Sequence, residues 1–111
     1  MTATLIALLT KMSILLACHF VGDYALQNAW MAMTKGKDWH AMFAHVGTYT
    51  SVFALLNLVP DVHLNLWALI LILGSHAFID PIKARWNLIG DVSDQLLHIG
   101  ILLFCVLKGW I

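Results

Sequence analysis

Hydrophobic residues fill four long stretches of the chain, and short polar connections separate them. The stretches lie at about residues 3–26, 41–59, 64–82 and 92–110. Each is close to the roughly 20 apolar residues that a helix needs to cross the hydrocarbon core of a bilayer. The second connection is so short that the helices on either side of it must form a hairpin. Pro60 ends the second helix, which precedes this connection. The pattern predicts an all-α polytopic membrane protein, an antiparallel bundle of four transmembrane helices forming a single domain over residues 1–111.

Local signals predict where two of these helices end or begin. Proline disfavours helical backbone at the residue before it, so Pro81 predicts that the third helix ends or bends at Asp80. Such a break would free backbone carbonyls beside the carboxylate. Asp91 and Ser93, which follow Gly90, are candidate N-caps of the fourth helix, because their side chains can accept from free backbone N–H groups.

The composition also favours a membrane protein. Of the 111 residues, 61% are hydrophobic and only 11% are charged, which is rare in a water-soluble domain of this size. The formal net charge is zero, so nothing indicates an electrostatic partner such as nucleic acid. The lipid bilayer is the expected partner. Cys18 and Cys105 lie in apolar runs without CxxC spacing, and we expect them to be buried free thiols.

Basic residues predict the orientation of the chain. The first connection contains Lys35 and Lys37, the third is flanked by Lys83 and Arg85, and the second contains no basic residue. Basic residues in short loops collect on the cytoplasmic side of a membrane. The first and third connections are therefore predicted to be cytoplasmic, with both termini outside.

Three motifs inside the apolar runs place histidine and aspartate four residues apart: HFVGD, HAFID and DQLLH. This spacing puts both side chains on one face of a helix, about one turn apart. In an up-and-down bundle the motifs converge on one side of the membrane, together with a histidine near the start of the second helix. We expect this to be the cytoplasmic side. The candidate ligands are His19, Asp23, His45, His76, Asp80, Asp94 and His98.

These side chains form a nitrogen and oxygen ligand set without thiolate. Such a set suits a divalent metal, for which we favour zinc, with iron or manganese as alternatives. The candidates exceed the four ligands of one tetrahedral zinc. Either two metals share the carboxylates, or some of the side chains orient the imidazoles that bind the metal. A cation would also offset the cost of burying three carboxylates in a membrane.

Further polar side chains are expected to support this site without binding the metal. Gln27 should donate a hydrogen bond at the end of the first helix, and Tyr49, one turn past His45, should line the same polar pocket. Lys83 could form an ion pair with Asp80, and the carboxylate of Asp80 would then not need a metal ion to balance its charge. The supporting side chains are Gln27, Tyr49, Lys83 and Gln95. The sequence identifies no catalytic residue.

The same motifs also resemble a known family. In their order, HFVGDYALQNAWMA, the segment 42–50 around His45, SHAFIDPIKAR and DQLLHI look like the small bacterial and phage membrane proteins of unknown function numbered thirty-three hundred and seven. The resemblance covers nearly the whole chain. It implies a multi-helix protein of the bacterial inner membrane, and it implies that the candidate ligands, Gln27 and Gln95 belong to the family pattern. The chain is more distantly similar to the membrane-bound metal-dependent hydrolases, whose membrane helices are also rich in His and Asp, but it shares no motif with them.

Three functions from different classes fit these residues. The first is a metal-dependent hydrolase embedded in the membrane, which acts on a lipid or lipid-linked phosphate through a metal-activated water. The second is a proton or ion relay, although the outer halves of the helices are nearly all apolar. The third is a non-enzymatic phage or bacterial membrane factor, holin-like or partner-binding, whose polar cluster holds the helices together. A homo-oligomer fits any of the three, because four helices of this length barely enclose a site.

Overall fold

A computed structural model describes residues 2–60 and 62–111; Asp61, in the predicted second turn, lies outside the described residues. The described chain contains helices and connections but no strand, which confirms that the protein is all-α. A π-helical turn, Val21–Ala25, extends the first helix, and a 3-10 turn, Leu56–Leu58, extends the third. The α-helices are α1 (Ala3–Phe20), α2 (Ala29–Thr34), α3 (Trp39–Leu55), α4 (Leu66–Ala84) and α5 (Asp91–Leu107).

Three helices of the described chain are long and apolar enough to cross a membrane. With their extensions they are Ala3–Ala25, Trp39–Leu58 and Leu66–Ala84, within two residues of the first three predicted segments. α5 begins one residue before the fourth segment, ends three residues before its end and has 17 residues. At 1.5 Å per residue it is about 26 Å long, slightly short of a hydrocarbon core of about 30 Å. The structure therefore supports a membrane location through its first three long helices.

Capping side chains determine where most of the helices begin. Each accepts a hydrogen bond from a backbone N–H of the first turn that has no partner within the helix. The capping residues are Thr2, Asn28, Asp38 and Asn65, ahead of α1 to α4 in that order. α5 follows Gly90, which has no side chain to cap it, and its first residue is Asp91. The prediction that Asp91 or Ser93 is the N-cap of this helix is therefore wrong.

Pro81 lies inside α4, which continues to Ala84. Of the two predicted alternatives, that this helix ends or bends at Asp80, the first is wrong. The next turn is held by backbone N–H groups of Arg85 and Trp86, which donate to the carbonyl oxygen of Pro81 at 2.9 and 3.1 Å. Asp80 consequently lies on the buried face of a helix rather than in a loop.

The four long helices pack in a ring, in which α3 and α5 each contact both α1 and α4. The short α2 packs against α3. Apolar side chains fill the middle of the ring, among them Leu15, Phe53, Ile72 and Leu102, all at most 1% exposed. Three of these lie one turn from a buried histidine, so the apolar core adjoins a polar one. The free thiol of Cys105 is buried in the apolar part, and that of Cys18 is half-buried.

The connection after α2 lies directly against the end of α4. A Cβ atom on Gly36 would sit 2.5 Å from the carbonyl oxygen of Ala84, far inside van der Waals contact. The obstacle is backbone, which cannot rotate away as a flexible side chain can. The close approach therefore needs glycine, and it fixes the positions of Lys35 and Lys37 on either side.

We expect Gly36→Ala to lower the free energy of unfolding by about 1–3 kcal/mol, the usual cost of overpacking. Gly74→Ala is the matched control, because nothing lies within 4 Å of a Cβ built there. Alanine in a helix interior is more stable than glycine by about 0.5–1 kcal/mol, so this control should be neutral or stabilised. Thermal unfolding in detergent measures both variants. Equal melting temperatures would contradict the close approach of the connection to α4.

Candidate metal centre

Buried polar side chains meet where the ends of α1 and α4 adjoin the starts of α3 and α5. Each is at most 4% exposed, although every one of them is ionisable. The π-helical turn after α1 carries Asp23 into this position, and Gly22 beside it lets the turn approach Tyr49 of α3 closely. The structure brings together all the predicted ligands: His19, Asp23, His45, His76, Asp80, Asp94 and His98.

A first group of candidate ligands consists of Asp23, His45, His76 and Asp80, whose ligand atoms all lie within 4.8 Å of one another. The Nε2 atom of His45 lies 3.0 Å from Nε2 of His76 and 3.2 Å from Oδ1 of Asp23. Oδ1 of Asp23 is 3.6 Å from Nε2 of His76, and Oδ2 of Asp80 is 3.5 Å from Nε2 of His45. In a tetrahedral site, bonds of about 2.0–2.1 Å place the ligand atoms roughly 3.3 Å apart. These separations fit that geometry.

A second group consists of Asp80, Asp94 and His98, again with all ligand atoms within 4.8 Å of one another. Oδ1 of Asp94 lies 3.2 Å from Nε2 of His98, one turn further along α5. Asp80 belongs to both groups. The arrangement corresponds to the predicted alternative in which two metals share a carboxylate.

His19 lies outside both groups, because its two ring nitrogens have other partners. Nε2 is 2.7 Å from the side-chain oxygen of Gln95, so this nitrogen must donate. Nδ1 is 2.8 Å from the hydroxyl of Tyr49 and, in the neutral ring, accepts from it. The side-chain NH₂ of Gln95 then donates to Asp23 at 3.1 Å and to Asp94 at 3.0 Å. His19 thus orients the carboxylates of both groups through a single amide.

Two lysines pair with the buried carboxylates, but not as predicted. Nζ of Lys35 lies 3.1 Å from Oδ2 of Asp80. Lys83 lies 3.1 Å from Oδ1 of Asp91 and 3.4 Å from Oδ2 of Asp94, so the predicted pair between Lys83 and Asp80 is wrong. Lys35 is the site residue that sequence reasoning missed. It is distant from Asp80 in the chain, and only the packing of its connection against α4 brings the two together.

Several buried polar atoms of the described chain have no hydrogen-bond partner. They include Oδ2 of Asp80, which is at ion-pair distance from Lys35 but accepts no hydrogen bond. Nδ1 of His45 and of His76 is also unpartnered, which differs from the usual metal-binding imidazole, whose other nitrogen donates to a neighbour. Oε1 of Gln27 lacks a partner, and the structure records no hydrogen bond from this side chain. The charge that faces Oδ2 of Asp80 is the ammonium of Lys35, so a metal ion that uses this oxygen would take the place of that ammonium.

Stacked rings fix the planes of the imidazoles. Tyr49 lies against His76 with ring centroids 3.9 Å apart and planes 17° from parallel. His76 in turn stacks on His98 at 4.3 Å and 29°. Side chains held by packing keep their donor atoms directed at one point, as a metal site requires.

The family described as "Protein of unknown function (DUF3307)" matches residues 11–110 of this chain. The matched range contains every residue of the cluster. No curated protein and no solved structure matches the chain. The more distant likeness to membrane-bound metal-dependent hydrolases therefore gains no support. The family predicted from the motifs is confirmed, and the chain belongs to the DUF3307 family, whose function is unknown.

Proposed function

We propose that this protein is an integral membrane enzyme that binds two divalent metal ions in its His/Asp cluster and hydrolyses a phosphate ester of a lipid or lipid-linked substrate. The proposal depends on one observation above all, that Asp80 belongs to both groups of candidate ligands. Pairs of metal ions about 3.5–4 Å apart hydrolyse phosphate esters in phosphatases and nucleases. A carboxylate has two oxygens and can contact both ions of such a pair.

The ligands divide unequally between the two positions. One ion would be held by Asp23, His45, His76 and Asp80, and the other by Asp80, Asp94 and His98. Three protein ligands leave an open coordination position, which distinguishes catalytic from structural zinc sites. Zinc suits the ligand set best, with iron and manganese as alternatives. A bound ion of this kind supplies Lewis acidity and lowers the pKa of water.

The chain's own side chains set the spacing of the two groups. Gln95 donates to Asp23 of the first group and to Asp94 of the second, and His19 holds the amide in that orientation. The hydroxyl of Tyr49 completes this chain of hydrogen bonds. Such supporting contacts usually change metal affinity or activity by about 10–100-fold. We assign His19, Tyr49 and Gln95 to this positioning role.

The charges of the cluster also favour a bound cation. Of the three buried carboxylates, Asp80 pairs with Lys35 and Asp94 with Lys83, which is shared with Asp91 at the surface. Asp23 has no lysine partner among the described residues. With neutral imidazoles, negative charge remains in a site that excludes water. A buried uncompensated carboxylate is expensive, so either a cation enters or an imidazole is protonated.

We further propose that α5 forms a fourth transmembrane helix and that the cluster faces the cytoplasm. The basic residues of the first and third connections lie at the same end of the helices as the cluster, as expected for the cytoplasmic side. Tryptophans at the interface between membrane and water are common. The exposed tryptophans at this end are Trp30, Trp39 and Trp86.

A second candidate function is a packing cluster without metal. The hydrogen bonds of Gln95, the hydrogen bond of His19 to Tyr49 of α3 and the ion pairs of the two lysines already join residues of all four long helices or their extensions. Such contacts hold transmembrane helices together. A proton relay is disfavoured, because the described core beyond the cluster is formed by apolar side chains such as Leu15, Phe53 and Leu102.

Phosphate release from lipid phosphates tests the hydrolase. Detergent-purified protein loaded with zinc or manganese should release inorganic phosphate from phosphatidic acid or a polyprenyl phosphate, and chelation should abolish the release. Asp94→Asn should lower it to the level of a protein-free blank, whereas His63→Ala, an exposed residue outside the cluster, should leave it unchanged. Stoichiometric metal without any release of phosphate would refute the enzyme and leave the metal site standing.

A further inference from the structure

A groove with basic walls lies beside the candidate metal centre, between the connection after α2 and the end of α4. This open groove has a volume of about 540 Å³, enough for more than a phosphate group, and no acidic side chain of the described residues lines it. Its polar and charged lining consists of Gln27, Lys35, Lys37, Lys83 and Arg85.

Two of these cations join the groove to the buried cluster. Lys35 is paired with Asp80, and Lys83 with both Asp91 and Asp94, so two side chains that line the groove also contact carboxylates of the cluster. The two lysine side chains are mostly buried, at 11% and 25% exposure. A ligand in the groove that contacts Lys35 or Lys83 would therefore be bound next to a candidate metal ligand.

The other two cations have no ion-pair partner among the described residues. Lys37 is exposed. The guanidinium of Arg85 lies over the ring of Trp39 at 4.4 Å, and its Nη1 atom is buried without a hydrogen-bond acceptor. Lys37 and Arg85 therefore give the groove positive charge that no carboxylate of the described residues neutralises.

We propose that this groove binds the phosphate group of the substrate, with Lys37 and Arg85 as its direct contacts. The inference rests on the proposed function and narrows the substrate class to a phosphate ester, since a carboxylic ester carries no charge for these cations to attract. Arginine suits phosphate because its planar fork donates two parallel hydrogen bonds. Trp39 and Trp86, exposed beside Arg85, would place the groove at the level of lipid headgroups.

Calorimetric titration of chelator-treated protein in detergent tests this site without turnover. The probes are dioctanoyl phosphatidic acid, inorganic phosphate and dioctanoyl glycerol, which has the same chains but no phosphate. Phosphatidic acid should bind and dioctanoyl glycerol should not. Lys37→Gln and Arg85→Gln should each weaken binding of phosphatidic acid about tenfold, as expected for a lost charge-assisted hydrogen bond. Lys108→Gln, at the opposite end of α5, is the matched control and should bind like the wild type.

Comparison of the three probes shows whether the groove binds a lipid phosphate or free phosphate. If inorganic phosphate competes with phosphatidic acid, the groove recognises the phosphate group. If inorganic phosphate and phosphatidic acid bind with equal affinity, the groove is a site for free phosphate instead of a lipid headgroup. Binding of dioctanoyl glycerol as tight as that of phosphatidic acid would overturn the inference. So would unchanged affinity in the Lys37→Gln variant, which alters only an exposed side chain. Because metal is absent, loss of binding in the variants is independent of whether the protein hydrolyses anything.

Discussion

Replacing Asp80 by Asn is expected to remove both metal ions from the protein, whereas His98→Ala should remove only one. Asp80 is shared by the two groups of candidate ligands and is 1% exposed, so water cannot take over its contribution. Asparagine keeps the shape of the side chain but loses the charge and the second oxygen. His98 belongs to the second group alone, and its loss leaves the four ligands of the first group in place.

Elemental analysis of detergent-purified protein measures this difference directly. Wild-type protein should contain two equivalents of zinc, iron or manganese, His98→Ala about one and Asp80→Asn close to none, the separation expected if both ions depend on the shared Asp80 carboxylate. His40→Ala is the matched control, because His40 is exposed and outside both groups. Gel filtration of each variant shows that the fold is retained. Equal metal content in Asp80→Asn and His98→Ala would refute the shared carboxylate, and metal-free wild type would refute the site.

Much of the cluster could be predicted from the sequence, because side-chain spacing on a helix is nearly fixed. His98 and Asp94 contact each other as their i, i+4 spacing predicts, at 3.2 Å. The pair His76 and Asp80 shows the limit of this reasoning. Both side chains lie on the same face of α4, but each faces a partner from another element, Asp23 for His76 and Lys35 for Asp80. Periodicity predicts which face is polar, and only packing determines which partner lies opposite.

The features that the sequence did not predict depend on tertiary contacts or on deviations from regular helix. The ion pair of Lys35 requires the connection around Gly36 to lie against α4. Periodicity could not predict the π-helical turn around Asp23, because this segment is apolar on nearly all sides and has no clear polar face whose shift would reveal an extra residue. Pro81 continues its helix because the following turn supplies donors to its carbonyl, so a local preference against helix was overridden.

Replacing Lys35 by Met is expected to destabilise the metal-free protein strongly and the metal-loaded protein only weakly. In the metal-free state the substitution leaves Asp80 buried, charged and without its cation. Breaking a buried ion pair by removing one partner costs about 3–5 kcal/mol. A metal ion bound by Asp80 would replace the ammonium as the compensating charge. Metal at 100 times its dissociation constant also stabilises the folded state by about 2.7 kcal/mol.

Thermal unfolding in detergent, with chelator and then with zinc or manganese, separates a metal site from a metal-free packing cluster. Lys37→Met is the matched control, since it removes the neighbouring lysine, which is exposed and has no ion-pair partner among the described residues. Recovery of most of the lost stability on addition of metal, in Lys35→Met but not in a Lys35→Met/Asp80→Asn double variant, would show that the metal binds at Asp80. The same loss of stability with and without metal would mean that Lys35 is the permanent counter-ion of Asp80. In that case the cluster holds the helices together, and the hydrolase proposal fails.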